Sequence, residues 1–92
     1  MSLVDPLNIV CLDRGTLLQR PFDFHFPHRL SEYDASTNQE AAARIDKQHI
    51  VITNKVKVDA QALRANPQLK LIAIAATGYE HVDLSVAKSM GI

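Results

Sequence analysis

A chain of 92 residues holds one domain at most. Ten Lys and Arg balance ten Asp and Glu, so neither nucleic acid nor an anionic membrane is an expected partner. No apolar run approaches the ~18 residues of a membrane span. The start, MSLVDPLNIV, lacks the basic and long apolar segments of a secretory signal, and the single cysteine, Cys11, excludes an intrachain disulfide; both suit a cytoplasmic protein.

In chain order, NIVCLD (Asn8–Asp13) is a β-branched run that predicts a strand buried on both faces. An irregular connection, RGTLLQRPFDFHFPHR, follows, and LSEYDA (Leu30–Ala35) alternates weakly, as a short strand does. Thr37 stands three residues before Glu40, the capping-box spacing, and opens an alanine-rich helix expected to end near Lys47. HIVIT (His49–Thr53) predicts a second buried strand. Asp59 is placed as N-cap of AQALRA, which Asn66-Pro67 stops. LKLIAIAAT (Leu69–Thr77) predicts a strand apolar on both faces, as a central strand is. Asp83 then caps LSVAKSM, with Gly91 at C′. Strands alternating with short helices imply a parallel α/β sheet with right-handed crossovers.

Such a sheet binds ligands at the carboxyl ends of its strands. Three turns therefore carry the candidates: Asp13-Arg14, Thr53-Asn54-Lys55 and Thr77-Gly78-Tyr79. Gly78 permits close backbone approach, and exposed N–H groups after a strand cradle a carboxylate or phosphate. The plain alternative is a strand-to-helix turn that needs a glycine. Lys55 is either a point charge that steers an anion or a solvated lysine. LDRGTL (Leu12–Leu17) is similar to the nucleophile loop of haloacid-dehalogenase-like phosphatases but lacks the second carboxylate that chemistry requires. His25 and His28 lie three apart beside Pro27 with no further ligand nearby, which favours an amphipathic loop over a metal site. His49 and His81 carry no partner pattern, and Cys11 is expected to be a small buried hydrophobe. The three glycines, Gly15, Gly78 and Gly91, form neither a dinucleotide fingerprint nor a P-loop.

The run IVITNKVKVDAQALRANPQLKLIAIAATGYEHVDLSVAKSMGI resembles the N-terminal region of D-isomer-specific 2-hydroxyacid dehydrogenases, most of all the glycerate dehydrogenase and hydroxypyruvate reductase branch. Shared features are the Asn-Lys-Val turn, the Pro-x-Leu-Lys-Leu-Ile run, the glycine turn and the helix closing in Gly-Ile. NIVCLDRGTL and FPHRLSEYDA resemble the family's first strand and loop.

The resemblance implies a flavodoxin-like sheet in the order 2-1-3-4 with flanking helices, the family's fifth strand missing from residues 1–92. It implies part of a substrate domain whose parent reduces a small 2-keto acid to a D-2-hydroxy acid with NAD or NADP. The family's catalytic Arg, Glu and His and its coenzyme site belong to a central domain outside these residues, so the chain alone is expected to be inactive, with no catalytic, coenzyme or metal residue of its own. Substrate contacts would fall on the main-chain N–H groups of Thr77 and Gly78, with Asn54, Lys55 and Tyr79 lining the same cleft. A homo-oligomer is expected, with the edge of LKLIAIAAT open to strand pairing. The alternative is a stand-alone binding or regulatory module. A receiver domain, one such module, would need an acid where Thr53-Asn54 stands.

Overall fold

Apolar strands without alternation need cover on both faces, and parallel pairing beneath crossover helices supplies it. The computed structural model describes residues 5–17, 21–75, 78 and 81–92. Four strands, β1 (Leu7–Cys11), β2 (His28–Glu32), β3 (Ile50–Thr53) and β4 (Leu71–Ile74), form one parallel sheet in the order β2-β1-β3-β4, the expected 2-1-3-4. Rows run across it as Ile9–Ile50–Leu71, Val10–Val51–Ile72 and Cys11–Ile52–Ala73. Successive rows point to opposite faces.

On one face, α1 (Asn38–Ile45), α2 (Ala60–Arg64) and α3 (Leu84–Ser89) bring Ala41, Ile45, Ala62, Leu63 and Ala87 against Val10, Leu12 and Val51. On the other face, Ile9, Cys11, Ile50 and Ile52, with Leu30 beside them in β2, are covered, among the described residues, by Leu17, Phe22 and Phe24. Burial pushes the Cys11 thiol above its ordinary pKa and keeps it protonated.

The caps follow the sequence reading. Thr37 and Glu40 exchange both capping-box bonds, and Asp59 and Asp83 accept from the N–H groups of Ala62 and Val86. Gly91 takes φ +78° at C′; its N–H donates to Lys88 and that of Ile92 to Ala87, a Schellman closure.

Some boundaries move. The second strand is His28–Glu32, not Leu30–Ala35: Pro27 already accepts from the Leu7 N–H, so pairing starts directly after it. The carbonyls of Tyr33 and Asp34 then swing over to the turn after β1. The first helix ends at Ile45, and Lys47 sits beyond it at φ 64°, a left-handed position usually left to glycine. Described pairing in β4 begins at Leu71, because the N–H groups of Lys70 and Leu71 both turn to the His49 carbonyl. His49 is structural as well, its Nδ1 accepting from the Asn8 N–H.

Candidate functional site

An aspartate that follows a run of buried apolar residues must find donors, because an unsatisfied buried carboxylate is costly. Asp13, at the end of β1, is only 2% exposed. Its carboxylate accepts from three consecutive main-chain N–H groups of the turn after β3: Asn54 at 3.0 Å, Lys55 at 2.6 Å and Val56 at 3.2 Å. Charge-assisted bonds of this kind contribute about 1.5–3 kcal/mol each. The Thr53 hydroxyl closes the same turn by donating to the Val56 carbonyl, and the Asn54 side-chain amide donates to Thr16 Oγ1. The turn is thus pinned from within, and Lys55 is left with its side chain exposed and, among the described residues, in no ion pair. Sequence reasoning placed Asp13 at this rim but missed its role. The available signal was its position straight after Val10-Cys11-Leu12, which forces it indoors.

This arrangement separates Asp13 from nucleophilic chemistry. A buried carboxylate whose oxygens already accept from three N–H groups is engaged in structure rather than offered to a phosphoryl group.

Gly78 is half-buried; Thr77 and Tyr79 lie outside the described residues. The connections that carry Asn54-Lys55 and Gly78 are tied together at both ends. Before them, the Ala75 N–H donates to the Thr53 carbonyl. After them, Val58 and Val82 form a parallel bridge: the Val58 N–H donates to His81, and the Asp83 N–H donates to Val58. The structure therefore holds together the described ends of the connections that carry the second and third candidate turns, at Thr53 with Ala75 and at Val58 with Val82.

A shallow depression further along the rim is lined by Asn38, Lys57, Asp59, His81, Val82 and Asp83. Both carboxylates there cap helices, and their charge disfavours an acid ligand. His28 stacks edge-on against Phe24 and Phe26 while His25 faces Asp23, so these two histidines do not converge on a metal. Among the described residues no three potential ligands gather, and no helix is long and apolar enough to cross a membrane.

The turn after β1 does not fit a dinucleotide. After β1, where a phosphate-binding turn would stand, the N–H groups of Arg14, Gly15 and Thr16 donate to Tyr33, Asp34 and Asp13. A Cβ on Gly15 would meet the Asp34 carbonyl oxygen at 3.0 Å, so that glycine serves close chain packing rather than a pyrophosphate.

Comparison with known proteins bears on the family and the fold. Residues 9–92 match the family described as D-isomer specific 2-hydroxyacid dehydrogenase, catalytic domain. The chain is 42% identical over 85 residues to a glycerate dehydrogenase of Methylorubrum extorquens, covering 91% of this chain and 27% of that protein. It is 32% identical to a hydroxypyruvate reductase of Blautia hydrogenotrophica, covering 94% of this chain and 29% of that protein. The chain therefore spans less than a third of these curated relatives. The fold is similar to that of an NAD+-bound 3-phosphoglycerate dehydrogenase of Entamoeba histolytica, with TM-score 0.68, 19% identity, and 96% of this chain and 32% of that one covered. It is also similar to that of a D-lactate dehydrogenase of Escherichia coli, with TM-score 0.69, 16% identity, and 94% and 29% covered. A match over residues 9–92 leaves one assignment: the chain belongs to the D-isomer-specific 2-hydroxyacid dehydrogenase family, within its catalytic domain.

Proposed function

We propose that these 92 residues form part of the substrate domain of a cytoplasmic, homo-oligomeric, NAD- or NADP-dependent D-2-hydroxyacid dehydrogenase, and supply the rim that receives the acid group of a small 2-keto or 2-hydroxy acid. The observation that carries this reading is the family match over residues 9–92. The ties between Ala75 and Thr53 and between Val58 and Val82, which flank the two connections, support a placement at Asn54-Lys55 and Thr77-Gly78-Tyr79. In this reading the main-chain N–H groups at Thr77 and Gly78 take the carboxylate, and Tyr79 stands at the rim. Lys55 adds a point charge from a turn whose own N–H groups are already spent on Asp13. Asn54 lines the cleft while its amide holds Thr16. The coenzyme, when bound to another part of the enzyme, supplies the hydride.

Titration of the 15N-labelled chain with glyoxylate or hydroxypyruvate tests the rim. Amide shifts should concentrate at Gly78 and its neighbours, and Lys55→Ala should weaken them. Shifts scattered over the surface, or none, overturn the placement. The chain alone should not oxidise NADH in the presence of hydroxypyruvate; turnover would show that hydride transfer does not need residues outside this segment. In a longer enzyme that carries it, Gly78→Val should raise KM for the keto acid far more than KM for the coenzyme.

A further inference from the structure

Given the cleft placement proposed above, on which this reading rests, we propose that Thr16 is a positioning residue. It turns the Asn54 side chain so that the amide points back at the chain and the carbonyl oxygen Oδ1 is left to the cleft. There Oδ1 accepts from a hydroxyl group on the acid that binds.

One proton decides the orientation. A threonine hydroxyl has a single hydrogen to donate and accepts through its lone pairs. The Thr16 hydroxyl lies 2.7 Å from the Asp13 carbonyl oxygen, which can only accept, so the proton goes there. Toward Asn54 the same oxygen is therefore an acceptor, and only the NH2 end of that side chain can meet it. That end stands 2.9 Å from Thr16 Oγ1, with the Thr16 carbonyl oxygen, a second acceptor, at 3.5 Å. An Asn54 turned the other way would set its carbonyl oxygen against two other oxygens, so the hydrogen-bond network fixes the amide. Oδ1 itself takes no hydrogen bond from any described residue.

Both members of the pair stand on backbone that Asp13 holds. Thr16 ends the 3-10 turn Arg14–Thr16, and its N–H also donates to the Asp13 carbonyl. The Asn54 N–H donates to the Asp13 carboxylate at 3.0 Å. One residue thus anchors the acceptor through its main chain and the donor through its side chain. The consequence at the rim is chemical. Beside N–H groups and a lysine, which suit an acid group, Oδ1 supplies an acceptor. It attracts a hydroxyl and disfavours an ionised carboxylate, whose oxygens only accept. Asn54 therefore sorts acids by the tail they carry, while the acid group itself is met elsewhere on the rim.

Pyruvate and hydroxypyruvate differ by that one hydroxyl and serve as the probes. In titrations of the 15N-labelled chain, hydroxypyruvate should bind about fivefold more tightly than pyruvate, the contribution of one hydrogen bond. Thr16 is exposed, so Thr16→Val, close in shape, should fold as the parent does by circular dichroism and bring the two acids to parity. Thr16→Ser, which keeps the hydroxyl, should retain the preference, and Asn54→Ala should abolish it. Without ligand, the Asn54 side-chain NH2 signals should move in Thr16→Val and stay in Thr16→Ser. Equal affinity for the two acids in the parent, a preference that survives Thr16→Val, or NH2 signals indifferent to that change overturns the proposal. Shifts at Gly78 with both acids mark any of these as a failure of the Thr16 device alone. No shift at Gly78 with either acid is a failure of the cleft placement and takes the device with it.

Discussion

The central strands β1 and β3 and the edge strand β4 are written in the same vocabulary, NIVCL and IVIT beside LIAI, yet they live in different surroundings. Ile9 to Leu12 have no exposed surface, and Val51 and Thr53 have none, whereas Leu71 is half open and the rest of β4 only partly covered. Composition told how apolar each strand is; position in the sheet decided how much of that surface leaves water. The central pair is also the one closed by a polar lock, Asp13 on the 54–56 turn, while β4 leads to the glycine turn. The polar lock thus sits on one side of the proposed cleft and the glycine turn on the other.

The sharpest way to break this contrast is to remove the lock. Asp13→Ala removes the acceptor of three main-chain N–H groups, of which that of Val56 is buried and those of Asn54 and Lys55 are partly so. A buried donor left unsatisfied costs about 1–3 kcal/mol and the partly buried ones less, a large share of a domain's ~5–15 kcal/mol. The variant should be largely unfolded by circular dichroism, and Asp13→Asn, which keeps one acceptor, should melt between it and the parent. Two folded variants of parental melting temperature would show that the turn holds itself. Next in size is Ile52→Ala, in a row closed on both sides. At 7% exposure it should lose about 2–5 kcal/mol in urea, transfer and cavity terms together.

The parts legible from sequence were those fixed by local chemistry. Thr37 with Glu40, Asp59, Asp83 and Gly91 each declare a helix end, because the capping partner lies within a few residues of the cap. Strand order followed from alternation and the family resemblance. What escaped depends on partners about forty residues away. Asp13 meets Asn54 to Val56 only after β1 and β3 pair. The Phe22 and Phe24 cover belongs to a loop with no periodicity to announce which face it would shield. Of the candidate site, the turns were legible; which of their N–H groups remain free was not.

Leu71→Ala is the edge counterpart of Ile52→Ala. A side chain already half in water forfeits about half of a buried leucine's ~1.5–3 kcal/mol and leaves no cavity behind, so the loss should be about 1 kcal/mol. A loss equal to that of Ile52→Ala would mean that β4 is covered like the central strands, and the distinction between centre and edge would fall.

The smallest effect probes the cover over the central pair rather than the strands themselves. Hydrogen bonding from the Thr37 N–H and hydroxyl, with Arg44 nearby, holds the Glu40 carboxyl below its ordinary pKa of 4.5. A depressed folded-state value means that the stabilisation is fully present above the unfolded pKa and is lost as pH falls through the folded one. The window therefore opens near pH 4.5 and extends downward. Glu40 is exposed, so the change is modest and weakens with salt. Hydrogen exchange should report it at the start of α1, whose Ala41 and Ile45 pack with Val10 and Val51, before it reports anything in α3. Glu40→Gln should flatten the acid limb of that local opening while leaving α3 unchanged. If protection falls equally in α1 and α3, the helix layer opens as one unit, and the centre is guarded no better than the edge.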